Sequence, residues 1–188
     1  MMPTKTIVIA GLVSLCVMAL ATLGWARQED PRLEILFDEL RATSDPAQIA
    51  FIEGSIWQVW GESGKPTVDL FYARGVRTMS VRELDDALEF FDAIVELDPD
   101  FAEGWNKRAT VYFLMGDYEA SIADVERTLA LEPRHFGALS GLAMIYLALD
   151  DPAGALAAFR DAIEVHPHLR GARSEIRRLE EIVEGQGI

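Results

Sequence analysis

The sequence predicts an all-α protein, an α-solenoid of three stacked helix hairpins. Pro99, Pro133 and Pro167 lie 34 residues apart, and each follows a segment whose apolar residues have helical spacing. The segments between these prolines align along almost their whole length. A unit of this length is one helix pair, which buries its apolar face only when neighbouring units stack on it. The period therefore predicts a stack of helix pairs.

Two further helices are expected before the first repeat, within residues 27–67. Asp30-Pro31 and Asp45-Pro46 each supply an N-cap followed by a proline at the first helical position, and each is followed by apolar residues on one helical face. Residues 61–66 are rich in Gly, Ser and Pro and predict a turn. We expect the two helices to form a hairpin that packs on the first repeat.

The repeats occupy residues 68–101, 102–135 and 136–169, and a capping helix with a tail is predicted at 170–188. Small and large residues recur at matching positions, as in the large set Phe71, Trp105 and Leu139 and the small set Gly75, Ala109 and Ala143. Small residues let helix backbones approach, and large ones fill the space between layers. Each unit is therefore expected to contain two short helices.

These repeats resemble the tetratricopeptide repeat family, whose 34-residue unit has the pattern W-x2-L-G-x2-Y, then A-x3-F, then P. The middle unit carries the pattern at Trp105, Ala109, Tyr112 and Pro133. The third carries it at Leu142, Ala143, Tyr146, Ala155, Phe159 and Pro167, and the first keeps Gly75, Ala87, Phe91 and Pro99. Arg74 and Arg108 stand where the family has leucine. The resemblance covers residues 68–169.

The resemblance implies a concave groove, lined by the first helix of each unit, that binds a protein or peptide segment. The candidate groove residues are Tyr72, Val76, Met79, Asn106, Lys107, Thr110, Phe113, Leu114, Met144 and Leu147, and Glu103, Gly137 and Gly141 fall on the same surface. Family members that hold a C-terminal carboxylate use several Lys, Arg and Asn residues, and here only Asn106 and Lys107 are available. An apolar peptide or helix is therefore the expected ligand. The alternative is that the chain covers part of this surface itself, for example with the hairpin before the first repeat.

Residues 1–26 predict export. They contain one lysine, no acidic residue, an uncharged apolar run at 7–23 and small residues at the exit, as in a secretory signal peptide whose cleavage leaves Arg27 first. The alternative is an uncleaved anchor, because the run at 7–25 approaches membrane-spanning length. In both cases the repeats are expected outside the cytoplasm, in a bacterial periplasm. Cys16 is the single cysteine, so the mature chain forms no internal disulfide.

The acidic charge limits the choice of partners. The whole chain has 17 basic and 31 acidic residues, and removal of residues 1–26 takes away one lysine, which leaves a net charge of −15. Such a charge repels phosphate backbones and anionic lipid surfaces, so nucleic-acid binding is not expected. It either attracts basic proteins or peptides or serves solubility alone.

No catalytic arrangement is evident. His135, His166 and His168 fall in predicted loops between units, about 10 Å apart from one loop to the next, whereas metal ligands lie about 2 Å from the ion. We therefore expect solvent-exposed loop histidines, and a metal-binding protein or small hydrolase that uses them is the remote alternative. The acidic residues fall on polar helical faces, and no pocket that shifts a carboxyl pKa is identifiable.

The sequence thus predicts a noncatalytic exported scaffold or adaptor that uses no cofactor and no small-molecule substrate. Its partner is expected to be another protein or peptide in the groove. The alternative is a membrane-anchored subunit of an envelope assembly complex, which requires that residues 7–25 are retained.

Overall fold

A computed structural model describes residues 30–186 of the 188-residue chain, and the predicted signal segment lies outside them. The described residues are helical with short connections and contain no strand. The helices are α1 (Pro31–Ala42), α2 (Pro46–Trp60), α3 (Pro66–Ser80), α4 (Leu84–Leu97), α5 (Ala102–Met115), α6 (Tyr118–Leu131), α7 (Phe136–Ala148), α8 (Pro152–Val165) and α9 (Ala172–Gln186). The predicted all-α class is confirmed. None of these helices is both long and apolar enough to span a bilayer.

The helix starts follow the predicted caps. The side chain of Asp30 accepts a hydrogen bond from the backbone N–H of Arg32 at 2.8 Å, and Asp45 accepts one from Ala47 at 3.0 Å. Asp151 caps α8 in the same way, by accepting from Gly154 at 2.9 Å. Each carboxylate satisfies one backbone donor that the first helical turn leaves without an internal partner.

The helix pairs α3–α4, α5–α6 and α7–α8 stack in chain order, and α9 packs on α8. The recurring small residues permit this stacking. A Cβ at Gly75 would lie 2.8 Å from the ring of Phe91, which is fully buried between α3 and α4. At the other end of the stack, Ile176 and Leu179 of α9 pack on a cluster that includes Phe159 of α8. The predicted capping helix is present and begins at Ala172.

Arg108, which departs from the family pattern, ties two units together. Its guanidinium bonds Asp124 of the same unit at 2.7 Å and Asp92 of the preceding unit at 2.8 Å, and it lies over the Trp105 ring at 4.9 Å. The Asp124 side chain is buried, so the pair is shielded from solvent. A charged contact between units thus replaces the apolar contact of a leucine.

The prediction that the N-terminal hairpin packs on the first repeat is wrong. The apolar side chains of α1 and α2 form one buried cluster with Phe136, and Val165 and Leu169 pack against it. These three residues belong to the third repeat or its final turn. The short connection between Trp60 and Pro66 reverses the direction of the chain. As a result, α2 lies across the turns between repeats. Leu70 of the first repeat stays 50% exposed.

The hairpin also reaches the concave side of the stack. Trp57 lies against Gly137 at the start of α7, where a Cβ would collide with the indole ring. At the end of the hairpin, Gly61 lies 3.6 Å from the Tyr72 ring, measured from a Cβ built on the glycine. The chain therefore covers part of its own predicted groove.

Replacement of Phe91 by Ala is expected to lower the free energy of unfolding by about 3–5 kcal/mol, because a buried ring is lost and a cavity remains. Denaturant titration of the purified protein measures this value. The control is Phe51→Ala, whose side chain is 74% exposed and whose removal is expected to change stability by at most about 0.5 kcal/mol. Equal effects of the two substitutions would contradict the packing described here.

Candidate functional site

The concave face is divided into a covered part and an open part. In the covered part, Trp60 of α2 stacks on His135 with ring centroids 4.0 Å apart and planes at 11°. Beside it, the ammonium of Lys107 lies 5.1 Å from the centroid of Trp57. The two indoles therefore cover the N-terminal ends of α5 and α7, and exclude water from the side chains beneath them.

Under this cover lies the carboxylate of Glu103, which is fully buried. Its Oε1 accepts a hydrogen bond from the Tyr72 hydroxyl at 3.0 Å and pairs with the Lys107 ammonium at 2.9 Å. Its Oε2 accepts from Asn106 Nδ2 at 2.7 Å and contacts His135 Nε2 at 2.9 Å. Four side chains from the first two repeats thus converge on one carboxylate.

The tautomer of His135 follows from its second contact. Its Nδ1 accepts a hydrogen bond from the backbone N–H of Ala138 at 3.0 Å, which caps the start of α7. An acceptor nitrogen carries no proton, so the proton of the neutral ring is on Nε2 and is donated to Glu103. His135 therefore connects the helix cap to the buried carboxylate.

Glu103 stays ionised despite its burial. Desolvation raises the pKa of this carboxyl, but the hydrogen bond from His135 and the positive charge of Lys107 outweigh it and hold the pKa at about 2. Burial and the adjacent negative charge raise the pKa of Tyr72, so its hydroxyl remains a donor. Asn106 and Lys107, the two groove residues available to contact a ligand carboxylate, thus contact a carboxylate of the chain itself.

The open part of the concave face contains a cavity of about 130 Å³ between α5 and α7. The lining residues are Asn106, Ala109, Thr110, Phe113, Ser121, Val125, Gly137, Gly141, Met144 and Ile145. The hydroxyls in this wall are used internally: Ser121 donates to the carbonyl of Ala109 at 2.7 Å and Thr110 donates to that of Asn106 at 2.9 Å. The cavity therefore presents a largely apolar surface.

Gly141 makes this cavity possible. A Cβ built at Gly141 meets no heavy atom within 4 Å, so the space in front of the helix backbone is free. Met144, one turn further along α7, is 47% exposed at the cavity. The opening has an apolar lining with a few polar groups, the combination that is typical of binding pockets.

The structure does not bring all ten predicted groove residues together. Four of them line the cavity, namely Asn106, Thr110, Phe113 and Met144. Leu114 follows Phe113 on α5 and is 38% exposed. Tyr72 and Lys107 contact Glu103 instead.

The remaining three predicted residues contribute to packing. Val76 and Met79 lie against the core of the first repeat, with Phe91 at its centre. Leu147 lies against the cluster formed by α7, α8 and α9. These three side chains contribute to packing because the first helix of a repeat contacts more than one neighbouring helix.

A larger depression of about 600 Å³ lies at the connection between α1 and α2. It is shallow and is lined mainly by polar residues of that connection, such as Thr43 and Gln48, beside the exposed Phe51. It has no convergent set of apolar or catalytic groups, so the smaller cavity is the better candidate site.

The prediction of solvent-exposed histidines is wrong for His135 and His166, which are both fully buried. The turns that carry them are covered by α2, a contact that the repeat pattern alone does not reveal. One signal was present: His135 occupies the repeat position of Phe101 and Leu169, which are apolar. His166 Nε2 lies 3.7 Å from a carboxylate oxygen of Glu53, and burial lowers the pKa of this histidine.

No group of three or more His, Cys, Asp or Glu side chains within residues 30–186 has an arrangement that could hold a metal ion.

Acid is expected to remove the stabilisation that Glu103 provides. The folded-state pKa of about 2 lies below the ordinary value of 4.5, so this contribution is complete above pH 4.5 and is lost as the pH falls towards 2. Glu103→Gln removes the titrating group and leaves the partly exposed Lys107 without its carboxylate partner, which is expected to cost at most about 3–5 kcal/mol at pH 7. Urea titrations at pH 7 and pH 3 should show a smaller pH dependence in the variant. An equal pH dependence in both proteins would show that Glu103 is not ionised in the folded state.

Comparison with known proteins agrees with the repeat architecture. The family model described as "Tetratricopeptide repeat" matches residues 72–125 and 106–169, which together span more than half of the chain. A TPR repeat-containing protein of Rhizobium etli is 36% identical over 154 residues, which cover 82% of this chain and 76% of that relative.

Solved structures resemble the fold. The Sgt2 TPR domain of Aspergillus fumigatus superposes with a TM-score of 0.61 at 20% identity, over 65% of this chain and 83% of that one. The first TPR of Spaghetti (RPAP3), solved with the HSP90 peptide SRMEEVD, gives a TM-score of 0.60 at 18% identity, over 63% of this chain and 94% of that one. With the family model and the Rhizobium relative, these structures lead to one conclusion: the chain belongs to the tetratricopeptide repeat family.

Proposed function

We propose that this protein is a noncatalytic, exported scaffold that binds a segment of another protein on the open part of its concave face. The observation that supports this proposal is the cavity between α5 and α7, with an apolar lining and free space in front of Gly141. Burial of one apolar side chain in such a cavity contributes about 1.5–3 kcal/mol. Further contacts along the exposed Leu114 and Met144 add to it.

The ligand is an internal segment with an apolar side chain and not a C-terminal carboxylate. The RPAP3 domain was solved with a peptide that ends in an acidic sequence. In the present chain, Glu103 accepts a hydrogen bond from Asn106 and pairs with Lys107. The indole of Trp57 covers Lys107. A second carboxylate at this point would meet the negative charge of Glu103, with which both residues already interact, and this argues against that class of ligand.

Export is part of the proposal and rests on residues 1–26. Their single positive charge, apolar run and small residues at the exit are typical of a cleaved signal peptide and support a periplasmic location of the repeats. Retention of residues 7–25 would instead make the protein a membrane-anchored subunit of an envelope complex. The length of the apolar run is the observation that favours this second candidate.

We expect the native chain to begin at Arg27. Intact-mass spectrometry of protein purified from its own host, without an N-terminal tag, distinguishes the two cases. A mass that includes residues 1–26, together with recovery in the detergent-solubilised fraction, would support the anchored subunit. Recovery of the full-length chain in the cytoplasmic fraction would contradict export altogether.

The cavity itself is tested by filling it. Gly141→Leu places a side chain in the free space, so partners that insert an apolar side chain are expected to bind at least about tenfold more weakly, the loss of about 1.4 kcal/mol. Quantitative pull-down from an envelope extract identifies the partners, and titration of each purified partner measures the change.

The matched control is Gly54→Leu. Gly54 is also helical, and a Cβ at this position likewise meets nothing within 4 Å, but it lies on α2 and does not line the cavity. Both substitutions are expected to preserve or slightly raise the unfolding free energy, because leucine favours a helix more than glycine does. Identical partner lists and affinities for the two variants would contradict binding at the cavity.

A further inference from the structure

One edge of the stack carries an exposed apolar side chain at the same position of every repeat. Val81, Met115 and Leu149 lie 34 residues apart, at the ends of α3, α5 and α7, and are 61%, 44% and 49% exposed. Because the units stack in order, the three side chains form a row with about 10 Å between neighbours. We call this row, with the turns that follow it, the apolar edge.

Single exposed apolar residues are ordinary on a protein surface, but a row at one repeat position is not explained by chance exposure. The opposite edge gives the comparison. There, α2 crosses the turns between repeats and buries Phe136 and His135. Within residues 30–186, no helix packs in this way on the apolar edge, since α2 lies on the far side of the first helices.

The same edge is strongly acidic. The turn after Val81 and the start of α4, residues 81–86, together contain one arginine and three acidic residues, for a net charge of −2. Asp117 and Glu119 follow Met115, in the turn and at the start of α6, and Asp150 and Asp151 follow Leu149, so each of these two segments also carries −2. The negative charge therefore recurs with the apolar row at every unit.

These carboxylates lack cationic partners in the described part of the chain. The ion pairs within residues 30–186 involve other acidic residues throughout. Asp117 and Asp151 cap α6 and α8, which satisfies backbone donors but leaves the carboxylate charge in place. On the opposite edge, by contrast, Asp98 pairs with Lys65 at 2.9 Å and Glu132 with Arg134 at 3.1 Å.

We infer that the apolar edge is a docking surface for a basic, amphipathic segment of a partner protein. The row attracts apolar side chains, and the unpaired carboxylates beside it select lysine or arginine on the flanks of the same segment. Two unit spacings of about 10 Å match about 13 residues of helix at 1.5 Å per residue. An anionic membrane surface is excluded as the occupant, because the carboxylates repel it. This surface is separate from the cavity and does not depend on the proposed function.

The test uses a defined probe. A synthetic 14-residue helical peptide of leucine and lysine, with the leucines on one face, is titrated by fluorescence anisotropy against the full mature chain. The reference peptide has the same length and lysine count, with serine in place of leucine. We expect the leucine peptide to bind at least about tenfold more tightly, and its affinity to fall as salt is raised.

Matched protein variants locate the binding. Met115→Ser/Leu149→Ser removes two members of the row and is expected to weaken the leucine peptide at least about tenfold. Leu70→Ser/Leu97→Ser replaces equally exposed leucines away from the apolar edge, at 50% and 52%, and is expected to leave the affinity unchanged. Thermal melts confirm that both double variants are folded.

Three outcomes would overturn the inference. The first is equal affinity of the two double variants for the leucine peptide, and the second is equal affinity of the wild type for the two peptides. The third is concentration-dependent dimerisation of the wild type that Met115→Ser/Leu149→Ser abolishes, because a second copy would then be the occupant. Gly141→Leu is expected to bind the leucine peptide as the wild type does, which keeps this test independent of the cavity.

Discussion

The stacked pair of Trp60 and His135, together with the hydrogen bond from His135 to Glu103, is the contact on which the arrangement of this molecule depends. It joins α2 to the start of α7 and, through the carboxylate, to α5. Each member needs the others: the indole excludes water, the imidazole satisfies one carboxylate oxygen, and the carboxylate orients the imidazole. A buried charge of this kind is tolerated because it is paired and fully hydrogen-bonded.

This contact determines which part of the concave face remains available. Once α2 lies across the turns, Trp57 covers Lys107 and fills the space at Gly137, while the cavity at Gly141 stays open. A groove of three units is short, and the chain uses part of it for its own packing. The surfaces proposed for partner binding are therefore the cavity between α5 and α7 and the apolar edge.

The sequence predicts the features that recur in every unit and the features that depend on nearby residues. The 34-residue period gave the helix pairs, and Asp-Pro pairs gave the starts of α1 and α2, because caps and stacking depend on nearby residues. The destination of the hairpin was not predictable, since α2 packs on Phe136, about eighty residues further along the chain, and its apolar face is compatible with either end of the stack. Glu103 illustrates the same limit: it was placed on the groove, but its burial depends on two indoles from another element.

The two edges of the stack differ in their surface properties, although both are built from the same repeated unit. Every unit presents a turn at each edge, so an unmodified stack would offer two similar surfaces. Here one edge has ion pairs at Asp98 and Glu132 and is covered by α2 near His135 and Phe136, and the other keeps apolar side chains beside unpaired carboxylates. Because desolvation is unfavourable for a charge without a partner, the second edge remains hydrated until a cationic group is supplied from outside. Because the charges at the first edge are already paired within the chain, a cationic partner gains more electrostatic stabilisation at the second edge.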